Sequence, residues 1–249
     1  MKGLVRHIPN TLTCISLLFG FYAAISGITG NYFCAMSAIL LAAVFDFADG
    51  FAARLLKAGS AMGKELDSLA DVISFGVAPG MMLFHFLDEL SGNLSWHDSI
   101  ACKCLLLTSF AIPVFSALRL AKFNIDERQK TSFIGLPVPA HAIFWSSLIT
   151  VLSSDIHATW CILPQFAQLL SSIKPEILIF VLSALALASS LLLTSRIRLI
   201  SFKTTSLSWK ANKPVCLLLA AAILLILFFG ISGLAATILL YILLSVIFL

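Results

Sequence analysis

Apolar runs of about twenty residues, parted by short polar or glycine-bearing breaks, repeat along the whole of this chain, and nothing else in the sequence limits its fold as strongly. The runs fall near 10–28, 32–56, 65–87, 100–121, 138–154, 175–195, 214–230 and 233–249. A hydrocarbon core about 30 Å thick is crossed by about 20 helical residues, and inside it a segment must satisfy its own backbone, so each run is predicted to be a helix. With 60% of residues hydrophobic, 11% charged and a mean hydropathy of +1.03, a soluble globular domain is excluded. The expected fold is an all-α polytopic membrane bundle. Six helices form a core domain over residues 1–205, and residues 206–249 add a C-terminal transmembrane hairpin whose helices meet at Gly230-Ile231-Ser232-Gly233.

The basic residues orient this bundle. With the N-terminus in the cytoplasm, 16 Lys and Arg distribute so that only Lys103 and Lys174 lie outside, whereas Lys2, Arg6, Arg54, Lys57, Lys64, Arg119, Lys122, Arg128, Lys130, Arg196, Arg198, Lys203, Lys210 and Lys213 lie inside. The basic start and first apolar run have the charge profile of a signal peptide. That run is long enough to span and lacks a small-x-small cleavage site, so an uncleaved first helix is expected. Residues 155–174, with Trp160, Pro164 and Phe166, read as an outer interfacial loop or short amphipathic helix. Net charge is +4, but the basic residues are scattered between spans instead of forming one stripe, so no nucleic-acid partner is expected. Cys14, Cys34, Cys102, Cys104, Cys161 and Cys216 show neither metal spacing nor a disulfide framework and read as small buried hydrophobes. The histidines, His7, His85, His97, His141 and His157, do not cluster and read as packed or interfacial.

Against this apolar background one stretch carries four carboxylates: Asp46-x-x-Asp49-Gly50-x-x-Ala53-Arg54, then Gly63-x-x-x-Asp67-x-x-x-Asp71. An ionised side chain in such surroundings costs several kcal/mol unless paired, hydrated or metal-bound. Residues three or four apart share a helix face, so Asp46 projects with Asp49, and Gly63 with Asp67 and Asp71. Two helices can aim all four acids at one point, where mutual repulsion calls for protons or divalent cations between them. Oxygen-only ligation suits a hard ion, Mg²⁺ or Mn²⁺, and not zinc. Gly50 and Gly63 would let a phosphate-bearing ligand approach the backbone, and Arg54 can offer it a guanidinium.

This pattern matches the signature of the CDP-alcohol phosphotransferases, integral-membrane enzymes of phospholipid synthesis, and the chain resembles that family. Further stretches, Ile8-Pro9-Asn10-Thr11-Leu12-Thr13, Asp67 to Pro79, Ala117 to Asn124, Phe133 to Ala140 and Ser195 to Lys203, resemble its phosphatidylserine synthase branch over about residues 6–203. The resemblance implies transfer of a phosphatidyl group from CDP-diacylglycerol to L-serine in the cell (inner) membrane, with the site facing the cytoplasm and the chain working as a homodimer. Carried over residue by residue, it makes Asp46, Asp49 and Asp67 metal ligands, with Asp71 sharing the site and acting as general base. Asp49, Gly50, Ala53, Arg54, Gly63 and Asn10 would bind CDP-diacylglycerol, and Asn10 can instead cap the first helix.

Phosphatidylglycerophosphate synthases typically carry Pro after the third signature aspartate and Lys after the fourth; here stand Ser68 and Val72, which favours serine over glycerol-3-phosphate, the alternative being the same chemistry with another acceptor such as glycerol-3-phosphate or inositol. A serine acceptor needs a cation for its carboxylate. Arg119 and Lys122, with Asn124 as a polar partner, are the candidates, although basic residues at a cytoplasmic helix end also serve topology. A divalent-cation transporter would explain the acids but not Gly50, Arg54 and Gly63 at these offsets, and a structural protein would not need every signature residue.

Overall fold

The computed structural model describes residues 7–92, 94–125, 133–153, 173–195, 197–199 and 213–248, and the description below is confined to them. Eight helical rods follow the apolar runs closely. They are α1 (Ile8–Ile28), α2 (Tyr32–Leu55), α3 (Ala61–Asp71) continuing through a π-helical segment (Val72–Val77) into α4 (Ala78–Ser91), and α5 (Ile100–Leu107) continuing through a 3₁₀ turn (Thr108–Phe110) into α6 (Ala111–Ile125). Then come α7 (Val138–Leu152), α8 (Pro175–Leu193), α9 (Lys213–Phe229) and α10 (Ile231–Phe248). Five rods are long and apolar enough to span a membrane, and α7, α9 and α10 are shorter apolar helices. The chain is a multi-pass membrane bundle. The stretch 155–172, with His157 and Cys161, and the basic residues Lys2, Arg6, Arg128, Lys130, Arg196, Lys203 and Lys210 lie outside the described residues.

Proline explains the two irregular turns. Pro79 has no N–H for the Phe75 carbonyl, and the helix widens to π geometry over the turn before it. Pro113 does the same to the Ser109 carbonyl, and a 3₁₀ turn precedes it. A two-residue antiparallel ladder, β1 (Phe133–Ile134) with β2 (Arg198–Leu199), ties the approach to α7 to the exit from α8, which the apolar pattern did not foreshadow. Gly135 completes that turn at φ 78°, and its N–H donates to the Ile197 carbonyl at 2.9 Å.

Small residues set the packing. Water-driven burial is weak between helices in lipid, so association depends on close approach, and α1 meets α2 over Ala23, Ala24, Ala35, Ala38 and Ala42. At Gly20 the approach to the π segment is closer still: a Cβ there would sit 2.7 Å from the Ser74 Cα. Hydroxyls link the same three elements, Ser16 Oγ donating to the Ala42 carbonyl at 2.9 Å and Ser74 Oγ to the Ser16 carbonyl at 3.2 Å. Larger side chains fill the interior, with Phe75, Ile112, Trp145, Ile149 and Ile179 fully buried. His141 is packed there too, its Nε2 accepting from the Trp145 indole at 3.1 Å. Leu18, Val44 and Phe47 point outward, as a lipid-facing surface requires.

Gly20→Ala should destabilise the bundle by about 1–3 kcal/mol, because the added methyl meets backbone that cannot rotate away. Leu18→Ala, on the lipid face, is the control. Thermal unfolding in detergent checks this: the account predicts a lower midpoint for Gly20→Ala alone, and equal midpoints would show that α1 and the π segment are not closely packed.

Candidate active site

Three helix ends build the site. The α2 helix stops where Lys57 takes a left-handed conformation (φ 50°), with the Ala58 N–H bonded to the Ala53 carbonyl at 3.0 Å. Three residues later Ser60 caps α3, its Oγ accepting from the Gly63 N–H at 3.0 Å. This tight reversal sets the Asp46/Asp49 face of α2 opposite the Gly63/Asp67/Asp71 face of α3. The beginning of α1 packs against α3 and supplies Asn10 and Thr13.

The four sequence-singled acids come together. Asp46, Asp49 and Asp67 each offer a carboxylate oxygen within 4.8 Å of the others, and Asp46 is in side-chain hydrogen-bond contact with both Asp67 and Asp71. No lysine or arginine forms a salt bridge with any of them among the described residues. Carboxylates this close repel one another unless a proton or cation lies between, so the set fits a hard divalent ion, and its oxygen-only donors fit Mg²⁺ or Mn²⁺ chemistry. Asp71 stands one step apart, in contact with Asp46 but outside the group of three.

Gly50 on α2 and Gly63 on α3 stand near the acids in the chain. Arg54 is exposed and lays its guanidinium over Gly50, with Nη1 3.7 Å from where a Cβ would be. At Gly63 a Cβ would come within 2.8 Å of Asn10 Oδ1, so the missing side chain is what lets α1 and α3 meet beside the cluster. Arg54 thus stands at Gly50 and Asn10 at Gly63, and Ala53 lies between Gly50 and Arg54 on the same helix.

Thr13 is the site residue that sequence reasoning left without a role. It is buried, and its Oγ1 lies 2.5 Å from Asp49 Oδ2 and 3.1 Å from the Pro9 carbonyl. One hydroxyl proton cannot serve both, and the shorter contact directs it to Asp49, fixing that carboxylate's orientation. The signal was the spacing Asn10-x-x-Thr13, one helical turn. It places both residues on the face that α1 turns toward the acids.

The acceptor candidates separate. Arg119, on α6, is only 8% exposed, lies within electrostatic reach of Asp71, and its Nε has no hydrogen-bond partner among the described residues. Lys122 is exposed. Asn124 donates its amide to Ser68 Oγ at 2.8 Å, and its carbonyl accepts from Lys64 Nζ at 3.2 Å, so it ties α6 to α3. Proline at position 68 could not accept that bond.

Comparison with known proteins agrees with this geometry. Residues 6–173 match the model of the CDP-alcohol phosphatidyltransferase family, whose members depend on a divalent metal. A CDP-diacylglycerol–serine O-phosphatidyltransferase of Bacillus subtilis is 38% identical over 135 residues, 54% of this chain and 71% of that protein. One of Helicobacter pylori is 33% identical over 137 residues, and there the match spans about half of each protein, 54% of both. An archaetidylserine synthase of Methanothermobacter thermautotrophicus is 31% identical over 178 residues, 67% of this chain and 68% of that protein. With the family model matched over more than half its length and its acids gathered as that chemistry requires, this chain belongs to the CDP-alcohol phosphatidyltransferase family.

Proposed function

We propose that this protein transfers the phosphatidyl group of CDP-diacylglycerol to the hydroxyl of L-serine, releasing CMP, and that residues 1–205 form the catalytic domain. The convergence of Asp46, Asp49 and Asp67 from the two helices that also carry Gly50 and Gly63 carries the reading. Serine is favoured by the named activities of the relatives and by Ser68 and Val72 at the positions where the glycerophosphate branch differs. The positive-inside distribution supports a site at the cytoplasmic face of the cell membrane, and family resemblance supports a homodimeric state.

In this reading Asp46, Asp49 and Asp67 hold the metal and Thr13 keeps Asp49 turned toward it. When Mg²⁺ or Mn²⁺ is bound, it supplies the positive charge that lets a diphosphate enter an acidic site and CMP leave it. Gly50 leaves room for the diphosphate, Gly63 lets Asn10 come up beside it, Arg54 pairs with it, and Asn10 and Ala53 line the nucleotide's approach. Arg119 binds the serine carboxylate, which leaves the serine hydroxyl toward Asp71. Asp71 accepts the hydroxyl proton as the serine oxygen bonds to phosphorus and the bond from phosphorus to the CMP oxygen breaks. Asp71 suits that role because it lies beside the group of three acids and faces Arg119. Lys122, exposed, and Asn124, bonded to Ser68, lie at the same end of α6 and remain candidates for the acceptor's polar groups.

An acceptor screen tests the reading. Purified protein supplied with CDP-diacylglycerol and Mg²⁺ or Mn²⁺ should release CMP with L-serine and not with glycerol-3-phosphate or inositol. Turnover with either of the latter in place of serine would reassign the acceptor, and ion flux through liposomes without lipid synthesis would favour a transporter.

Near-isosteric variants separate the roles of the acids. Asp71→Asn should keep metal and CDP-diacylglycerol binding yet lose at least about 100-fold in transfer, the size of a general-base contribution. Asp67→Asn should weaken metal binding, so that raising the metal concentration restores part of the rate. If high metal rescues Asp71→Asn as readily, Asp71 is a ligand and not the base.

A further inference from the structure

Buried hydroxyls in this bundle find carbonyls. Ser16 and Ser74 donate to carbonyls of neighbouring elements, Ser183 Oγ donates to the Leu105 carbonyl at 3.3 Å, and Ser109 Oγ donates to the Leu106 carbonyl at 2.7 Å. Ser116 and Ser190 do not: each is fully buried, and neither Oγ has a hydrogen-bond partner among the described residues. Ser190 stands on α8, whereas Ser116 stands on α6, one turn before Arg119. A buried hydroxyl that bonds to nothing weakens a fold, so Ser116 is matched to a partner that the folded chain itself does not supply.

Two contacts fix how α6 lies against the rod that carries Asp71. At one end Asn124 donates its amide to Ser68 Oγ at 2.8 Å, and at the other a Cβ on Gly76 would lie 3.1 Å from the Ser116 Cβ. Ser68 to Gly76 and Ser116 to Asn124 each span eight residues, so the two rods run antiparallel and in step between these contacts. Asp71 lies inside that interval on one rod and Arg119 inside it on the other, which sets them at neighbouring levels of one seam. Ser116 and Arg119, three residues apart, share a face of α6. The Arg119 Nε is likewise unpartnered among the described residues, and Arg119 keeps 8% of its surface exposed. Gly76 leaves the hydroxyl's own side clear of a side chain, since a Cβ there would lie 3.5 Å from Ser116 Oγ.

A guanidinium only donates, and a serine hydroxyl has one proton to give. Two donors one turn apart suit the two oxygens of a carboxylate. We propose that Ser116 is a second acceptor-binding residue, its hydroxyl donating to one oxygen of the serine carboxylate while Arg119 takes the other. This rests on the reading of Arg119 as the group that binds that carboxylate. Ser116 is then paired only when serine is bound, so the gain from satisfying it goes to acceptor recognition and not to folding.

The test combines thermal unfolding with steady-state kinetics on the full-length protein and the variants Ser116→Ala and Arg119→Lys, with serine and CDP-diacylglycerol varied separately. Ser116→Ala removes one oxygen that holds no partner in the fold, so its unfolding midpoint should equal or exceed that of the wild type. Its serine KM should rise about tenfold while its CDP-diacylglycerol KM changes by less than about twofold. Arg119→Lys should raise the serine KM at least as much. A lower midpoint in Ser116→Ala, or equal rises for both substrates, would show that the hydroxyl supports the fold and would overturn the proposal. A wild-type serine KM in Ser116→Ala, with Arg119→Lys impaired, would overturn it too and leave the acceptor reading standing. An unchanged serine KM in Arg119→Lys would instead remove the acceptor reading, and the proposal with it.

Discussion

Four carboxylates held together inside an apolar bundle are the constraint on which the rest of this structure turns. Two unit charges 4 Å apart repel by about 4 kcal/mol at an effective dielectric of about 20, and several such pairs exceed what one helix contact returns. A bundle that keeps Asp46, Asp49 and Asp67 within 4.8 Å is therefore built for a guest cation. That requirement fits acids carried toward the C-terminal end of α2 and on α3, the N-terminal part of the rod that follows.

The surrounding architecture serves the same end. Alanines bring α1 and α2 close, Gly20 brings α1 onto the π segment, the left-handed turn at Lys57 aims α3 back at α2, and the Ser74 and Ser16 hydroxyls link the π segment to α1 and α1 to α2. Immediately after Asp71 the helix widens, and Gly76 meets α6 there, with a hypothetical Cβ 3.1 Å from the Ser116 side chain. Local backbone irregularity thus sets the distance between the helix that carries Asp71 and the helix that carries Arg119. Ser68 and Asn124 add a polar tie between the same two helices.

Much of this was legible in the sequence because lipid imposes strict rules. Twenty-residue apolar runs located the helices to within a few residues, and i, i+3 and i+4 spacing was enough to predict that the acids share faces. The less legible features depend on contacts between segments distant in sequence. Thr13 reads as an ordinary helix residue until α2 brings Asp49 to its hydroxyl, and the bond from Asn124 to Ser68 emerges only once α6 lies beside α3. The π segment had a sequence signal in Pro79, whose effect falls on the preceding turn.

The account stands or falls on whether the acids hold a cation, and direct binding of Mn²⁺, followed by the resonance of the free ion, measures that. The full-length protein should take up Mn²⁺ saturably, release it to excess Mg²⁺, and lose the site when Asp46, Asp49 and Asp67 are all changed to Asn. Equal uptake by the wild type and the triple variant would contradict the account, because the carboxylates would then be gathered for some purpose other than holding metal.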